Sequence, residues 1–130
     1  MTDDQVQNFS RWKKCFDRFS QFDHVYIKLS GAFSEIGDQE ANDPWPISKI
    51  VQRMKPWLDH IFRRFIPQRI MFGSDWPVCN VRGPGNAASW KHWFCVVSEI
   101  LRIYNISVEE KDMVWWGTAL KAYRLQENSS

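Results

Sequence analysis

An aspartate with the character of a catalytic residue, Asp75, follows a short apolar segment. The stretch RIMFGSDWPVC runs from Arg69 to Cys79. Its apolar part is typical of a strand covered on both faces, and Pro77 lacks the N–H needed to continue a ladder. Because side chains alternate along a strand, Met71, Gly73 and Asp75 are predicted to share one face. A carboxylate at a strand's carboxyl end lies where ligands bind in α/β folds, although it could equally cap a helix or turn.

Four further residues could contact a substrate. Lys28 and Ser30 alternate with apolar residues in the segment HVYIKLSG and are predicted to face one side of a strand. Lys28 could instead pair with a charge on a neighbouring strand. Trp76 could wall a pocket or simply pack, and Arg82 could hold a substrate carboxylate with two hydrogen bonds or stay solvated.

The hydrophobic pattern predicts the elements that position these residues. Apolar residues at helical spacing predict a helix after a capping box at Thr2 and Gln5, and another box opens the last helix at Ser107 and Glu110. Between them the pattern predicts a strand, an acidic loop, a helix, a second strand and a further helix, over 24–29, 32–46, 48–65, 69–75 and 86–104. Pro56 lies inside the 48–65 pattern and is expected to kink that helix or begin another.

Length and composition indicate a globular chain with at most one domain over residues 1–130. The chain is 44% hydrophobic and 25% charged, which argues against disorder. Its net charge of +2 is spread without a basic stripe, so we expect neither nucleic acid nor a membrane surface as a partner. No run is long enough to span a membrane. Three widely spaced cysteines favour a reducing compartment, so a cytoplasmic location is predicted.

Strands that alternate with helices predict a parallel sheet with helices on its faces. Only two strands are predicted, and two strands cannot bury their apolar faces or pair both edges. The sequence therefore reads as a piece of a larger fold. Eight tryptophans and nine phenylalanines add exposed apolar surface, so self-association is expected when the chain is alone.

The segments VYIKLSG, PWLDHIFRRFIPQRIMFGSDWPVC and EEKDMVWWGTALKAYRL resemble the amidohydrolase-related (amidohydrolase 2) family of metal-dependent hydrolases. The resemblance runs from about residue 8 to residue 125. Its closest branch contains sugar-acid lactonases and the dicarboxypyrone lactonase. It implies that the chain forms the carboxyl-terminal part of a TIM (β/α)₈ barrel, about the last two strands and their helices.

The same resemblance implies chemistry for Asp75. The family's aspartate at the end of strand 8 acts beside a divalent metal, here Zn²⁺ or Mn²⁺, as a ligand or as a base toward water. The family's His-x-His pair has no counterpart here, and Asp75 alone cannot hold zinc. Three interpretations stay open: a piece of a lactone hydrolase that is inactive by itself, a non-catalytic fragment or binding module, and a related decarboxylase.

Overall fold

The computed structural model describes residues 1–39, 43–76 and 80–125. Helices and strands alternate from the start of the chain. In order, they are α1 (Asp3–Ser20), β1 (Ile27–Leu29), α2 (Phe33–Ile36), α3 (Ile47–Arg64), β2 (Ile70–Phe72), α4 (Asn86–Ile103), α5 (Val108–Asp112) and α6 (Thr118–Ala122). A 3₁₀ turn (Pro67–Arg69) precedes β2, and a π-helical turn (Met113–Gly117) joins α5 to α6.

Both predicted capping boxes are confirmed. The Thr2 hydroxyl accepts from the Gln5 backbone while the Gln5 side chain accepts from the Thr2 backbone, and Ser107 and Glu110 repeat this arrangement before α5. Each box satisfies two of the backbone N–H groups that a helix leaves unpaired at its start. Local sequence therefore fixes where these two helices begin.

The helix predicted from Ser48 differs from the prediction at two points. It begins at Ile47 with Pro46 before it and no side-chain cap, and it continues through Pro56 to Arg64, so no second helix begins at Pro56. Proline costs a helix one hydrogen bond, but the apolar stripe of α3 packs into the core on both sides of that position. Tertiary packing outweighs the local penalty.

The two strands pair in parallel, as predicted. Lys28 lies opposite Met71, with Ile27 opposite Ile70 and Leu29 opposite Phe72. The first strand is shorter than the predicted span of residues 24–29. Residues 24–26 are not part of the strand. The Val25 backbone N–H donates to the Phe22 carbonyl in a turn and not to a neighbouring strand. The predicted loop over 32–46 also contains the short helix α2.

Helices cover one face of this sheet. Leu29 and Ile70 lie in a single buried cluster with side chains from α2, α3 and α4. The largest members that are almost fully buried are Trp93, Phe33, Phe65, Ile50, Leu58, Ile100 and Leu101. Burying side chains of this size contributes about 1.5–3 kcal/mol each, so this cluster is the main source of stability. The chain thus builds a real core on the helix side of its two strands.

Arg69 ties the first helix to the sheet. Its guanidinium donates to the carbonyls of Ser20, Phe22 and Val25, at 2.9, 2.6 and 3.0 Å, and lies over the ring of Phe65. Three carbonyls of the turn between α1 and β1 are satisfied by one side chain. This clamp fixes the point at which β1 enters the sheet.

None of the helices in the described residues combines the length and apolar character needed to cross a lipid bilayer.

Candidate functional site

Asp75 lies just beyond the carboxyl end of β2, in a conformation that few side chains adopt. Its φ is 51°, in the left-handed region, which costs energy for a residue with a side chain. Strain of this kind gathers at sites where the surrounding structure holds a group in place. The carboxylate reaches across to the other strand end, because its Oδ2 is 3.5 Å from the position that a Cβ on Gly31 would occupy. The carboxyl ends of the two strands therefore lie close together in one place, which agrees with the predicted parallel pairing.

Gly31 forms the opposite wall of this place. Its φ is 67°, which glycine adopts without a steric penalty, and the Ser34 hydroxyl donates to its carbonyl at 2.9 Å. Ser30, immediately before it, is half-buried at the end of β1. Ser30 and Asp75 thus follow the two paired strands at the same edge of the sheet.

Lys28 lies on the sheet face opposite to the helical core. Its neighbour Leu29 points into that core, whereas Lys28 is exposed and its stem crosses Gly73 on the adjacent strand. The predicted alternation along β1 is therefore confirmed. Gly73 also belongs to that face, two residues before Asp75.

A buried hydrogen bond from α4 supports the end of β2. The indole Nε1 of Trp93 donates to the Gly73 carbonyl at 2.9 Å, and the Gly73 N–H donates to the Leu29 carbonyl at 3.0 Å. The N–H and the carbonyl of Gly73, two residues before Asp75, therefore both have hydrogen-bond partners. The helical spacing in the sequence does not single out Trp93, and it cannot reveal a hydrogen bond to a distant strand.

Arg82 contacts the loop that follows α2. Its side chain is 59% exposed, and its Nε lies 3.4 Å from an oxygen of Asp38. The Arg82 carbonyl accepts from the Gln39 N–H at 3.0 Å. The structure thus shows Arg82 joining two loops above the strand ends, while a contact with a substrate carboxylate stays a prediction.

Asn80 closes the loop before α4, and the sequence analysis did not single it out. Its Oδ1 accepts from the Gly85 N–H at 2.9 Å and the Ser89 hydroxyl at 2.8 Å, and its Nδ2 donates to the Asn86 side chain at 2.6 Å. Asparagine near a glycine-rich turn is a common signal for such a contact.

Trp76 is 58% exposed beside Asp75. Whether its exposed indole walls a pocket stays a prediction. The predicted stop of the strand at Pro77 falls outside the residues that the structure describes.

The described residues do not by themselves fit a metal ion. Across 1–39, 43–76 and 80–125, no three His, Cys, Asp or Glu side chains are grouped so that they could hold one. His60 lies against Asp17 between α1 and α3, and His92 bonds the Trp45 carbonyl through Nε2 at 2.9 Å. Asp75 thus offers one carboxylate, whereas zinc normally takes three or four protein ligands.

His92 carries the perturbed ionisation nearest to these loops. Partial burial lowers the pKa of His92 below its ordinary value, and the hydrogen bond to the Trp45 carbonyl opposes this only in part. The ring also stacks on Phe33 of α2. We therefore assign His92 to packing between α2 and α4.

Comparison with known proteins identifies the family to which the chain belongs. The family described as Amidohydrolase matches residues 1–125. The chain is 26% identical over 125 residues to the L-rhamnono-gamma-lactonase of Scheffersomyces stipitis and 33% identical over 118 residues to the L-fucono-1,5-lactonase of Burkholderia multivorans. These alignments cover 95% and 91% of this chain, and each covers 36% of the relative.

Two solved structures of an amidohydrolase from Burkholderia multivorans share the fold. One, with bound zinc, superposes with a TM-score of 0.71 at 28% identity over 91% of this chain and 38% of its own. The other, with bound HEPES, gives 0.72 at 30% identity over 95% of this chain and 40% of its own. The predicted fold class, part of a (β/α)₈ barrel, is confirmed. The chain spans a little over a third of the length of these relatives.

Proposed function

The chain belongs to the amidohydrolase family, and from that premise we propose that it forms the carboxyl-terminal part of the barrel of an enzyme that hydrolyses a small sugar lactone. In this proposal, residues 1–130 form one partial domain of the enzyme. The complete enzyme acts on a small molecule in the cytoplasm. The lactonase relatives support the substrate class. The whole enzyme's activity needs strands that these residues do not supply.

The observation that carries the proposal is the position of Asp75. Its carboxylate lies at the carboxyl end of a parallel strand, beside the end of the neighbouring strand, on a backbone held in the left-handed region. Catalytic groups of (β/α)₈ barrels come from these strand ends. A carboxylate in such a place is suited to take a proton from water.

In the proposed reaction, water attacks the acyl carbon of the lactone. Asp75 takes a proton from that water as its oxygen bonds to the acyl carbon. The bond between the acyl carbon and the ring oxygen then breaks, and the ring oxygen gains the proton. The product is an open hydroxy acid. Ser30 follows the end of β1 and Trp76 follows Asp75, and these two residues, together with Lys28 and Arg82, are proposed to contact the substrate.

We also propose a divalent metal, zinc or manganese, for the complete enzyme. A solved relative contains zinc. The described residues offer Asp75 as a single ligand, so the remaining ligands would come from outside this chain.

A chimera tests this function. The matching third of the Burkholderia L-fucono-1,5-lactonase is replaced by this chain, and ring opening of L-fucono-1,5-lactone and L-rhamnono-gamma-lactone is followed by acid release. We expect Asp75→Asn to lower kcat by about 10²–10⁴-fold, because the base is lost. Asp23→Asn, which removes the same charge from an exposed turn at the amino end of β1, should leave kcat unchanged.

Three outcomes would contradict the proposal. A folded chimera without lactone hydrolysis would favour a non-catalytic fragment or binding module. Equal kcat in the Asp75→Asn and unsubstituted chimeras would remove Asp75 from the mechanism. Release of CO₂ from a related acid in place of ring opening would favour a decarboxylase. Circular dichroism of each chimera shows whether it is folded.

A further inference from the structure

We propose that Gly73 is a positioning residue, whose missing side chain gives Lys28 a path toward Asp75 along the sheet face opposite to the helical core. The ammonium group is thereby placed where it can stabilise negative charge on the acyl oxygen of a lactone. This inference rests on the proposed function for the identity of that oxygen. The position of Lys28 itself does not depend on it.

The stem of Lys28 occupies the space that a side chain at position 73 would need. A Cβ on Gly73 would overlap the Lys28 Cε and would lie 3.0 and 3.1 Å from its Cγ and Cδ. Contacts this short force one group to move. The backbone of Gly73 is not in the left-handed region, so alanine is allowed there by its own conformation. The obstacle at this position is therefore the lysine stem.

The sheet register gives the direction in which Lys28 points. The Cα of Lys28 is level with Met71, yet its stem from Cγ to Cε lies against Gly73, two residues nearer the carboxyl end. The side chain of Lys28 therefore leans along the strand toward the carboxyl end of β2. Asp75 comes two residues further along the same chain. The stem of Lys28 thus leans toward the end of the sheet that carries the carboxylate, and we infer that the ammonium group follows it.

The two charged groups are not paired with each other. Within residues 1–39, 43–76 and 80–125, the ion pairs involve other residues, and neither Lys28 nor Asp75 takes part in one. An unpaired base and an unpaired cation on one face can act on different atoms of one substrate. Asp75 would take the proton of the attacking water while Lys28 faces the acyl oxygen, where charge develops.

The test on the 130-residue chain uses a pair of single variants and their combination. When Lys28 is present, Gly73→Ala should raise the unfolding equilibrium constant about tenfold, because the added methyl group overpacks this face. If the lysine stem moves away instead, the acylation measurement below detects it. In combination with Lys28→Ala, the same glycine substitution should change that constant by less than about twofold. Urea unfolding followed by circular dichroism measures both.

A second measurement reports the lysine directly. Acylation of amines with a limiting reagent, read by peptide mass spectrometry, should change at Lys28 by about twofold or more in Gly73→Ala, because a flexible stem that moves alters the exposure of its amine. Lys91, exposed on α4, serves as the internal control. Unchanged labelling together with equal effects of Gly73→Ala in both backgrounds would overturn the proposal. If Gly73→Ala does not fold, recovery in the double variant supports the proposal, and failure of that recovery refutes it.

The chimera separates this inference from the proposed function. There, Gly73→Ala and Lys28→Ala should each lower kcat with little change in KM, and the double variant should be no worse than Lys28→Ala alone. Additive losses would overturn the positioning role even if Asp75→Asn abolishes activity. An Asp75→Asn chimera that stays active would instead refute the role of Asp75 as the base. The labelling result would still test the position of Lys28.

Discussion

Replacing Trp93 with phenylalanine should destabilise the chain far more than the same replacement at Trp90. Trp93 is 1% exposed and donates to the Gly73 carbonyl, whereas Trp90, one turn earlier on α4, is 48% exposed. Trp93→Phe leaves a buried carbonyl without its donor, which costs about 1–3 kcal/mol. It also removes roughly 40 Å³ of side chain, and at about 24 cal/mol per Å³ of cavity this adds about 1 kcal/mol. The expected loss is therefore about 2–4 kcal/mol.

Urea unfolding followed by far-ultraviolet circular dichroism measures this loss without relying on tryptophan fluorescence, which both variants alter. With a slope of about 2 kcal/mol/M, the midpoint of Trp93→Phe should fall by about 1–2 M. Trp90→Phe should stay within about 0.5 kcal/mol, since exposed substitutions rarely cost more. All samples are compared at one low protein concentration. Equal shifts in the two variants would show that the indole hydrogen bond does not support the end of β2.

Three further predictions concern the rest of the fold. Arg69→Met should lower the free energy of unfolding by about 1.5–3 kcal/mol, because three carbonyls lose a charged donor, while Arg11→Met on the exposed side of α1 should change it little. The lowered pKa of His92 means that the unfolded chain binds a proton first, so stability present above pH 6.5 should be lost as pH falls through the pKa of the folded state. His92→Gln should flatten this dependence in urea midpoints, and an unchanged slope would contradict it. The chain alone should self-associate through its exposed aromatic side chains, and sedimentation showing only a 15.5 kDa monomer at every concentration would contradict that.

Local signals in the sequence predicted much of this fold. The capping boxes at Thr2 and Ser107 place the start of two helices because both partners lie within one turn. Alternation along the strands places Lys28 and Gly73 on one face, since the period of a strand is two, whereas Asp75 lies beyond the end of β2 in the left-handed region. The residues that make up each signal are close together in sequence. They can therefore be identified without knowledge of the tertiary structure.

Resemblance supplied what local signals did not. The motifs KLSG and FGSDWP indicate the family and part of a barrel. The match of residues 1–125 confirms the family, and superposition on 38% and 40% of two solved amidohydrolase chains confirms that the chain is part of that fold. Nothing in the spacing alone distinguishes a catalytic Asp75 from one that caps a turn. The family resemblance favours a catalytic Asp75, and that role stays a prediction.

The sequence by itself determined the order of the main helices and strands, the parallel pairing and the face on which Lys28 lies. Only the tertiary structure decided how far the strands extend, that α3 continues through Pro56, and that Trp93 and Asn80 support the loops at the strand ends. Each of these depends on groups that are distant in sequence and become neighbours only when the helices pack on the sheet. The path of Lys28 across Gly73 has the same origin: periodicity gives the face, but the register of two strands separated by more than forty residues gives the contact.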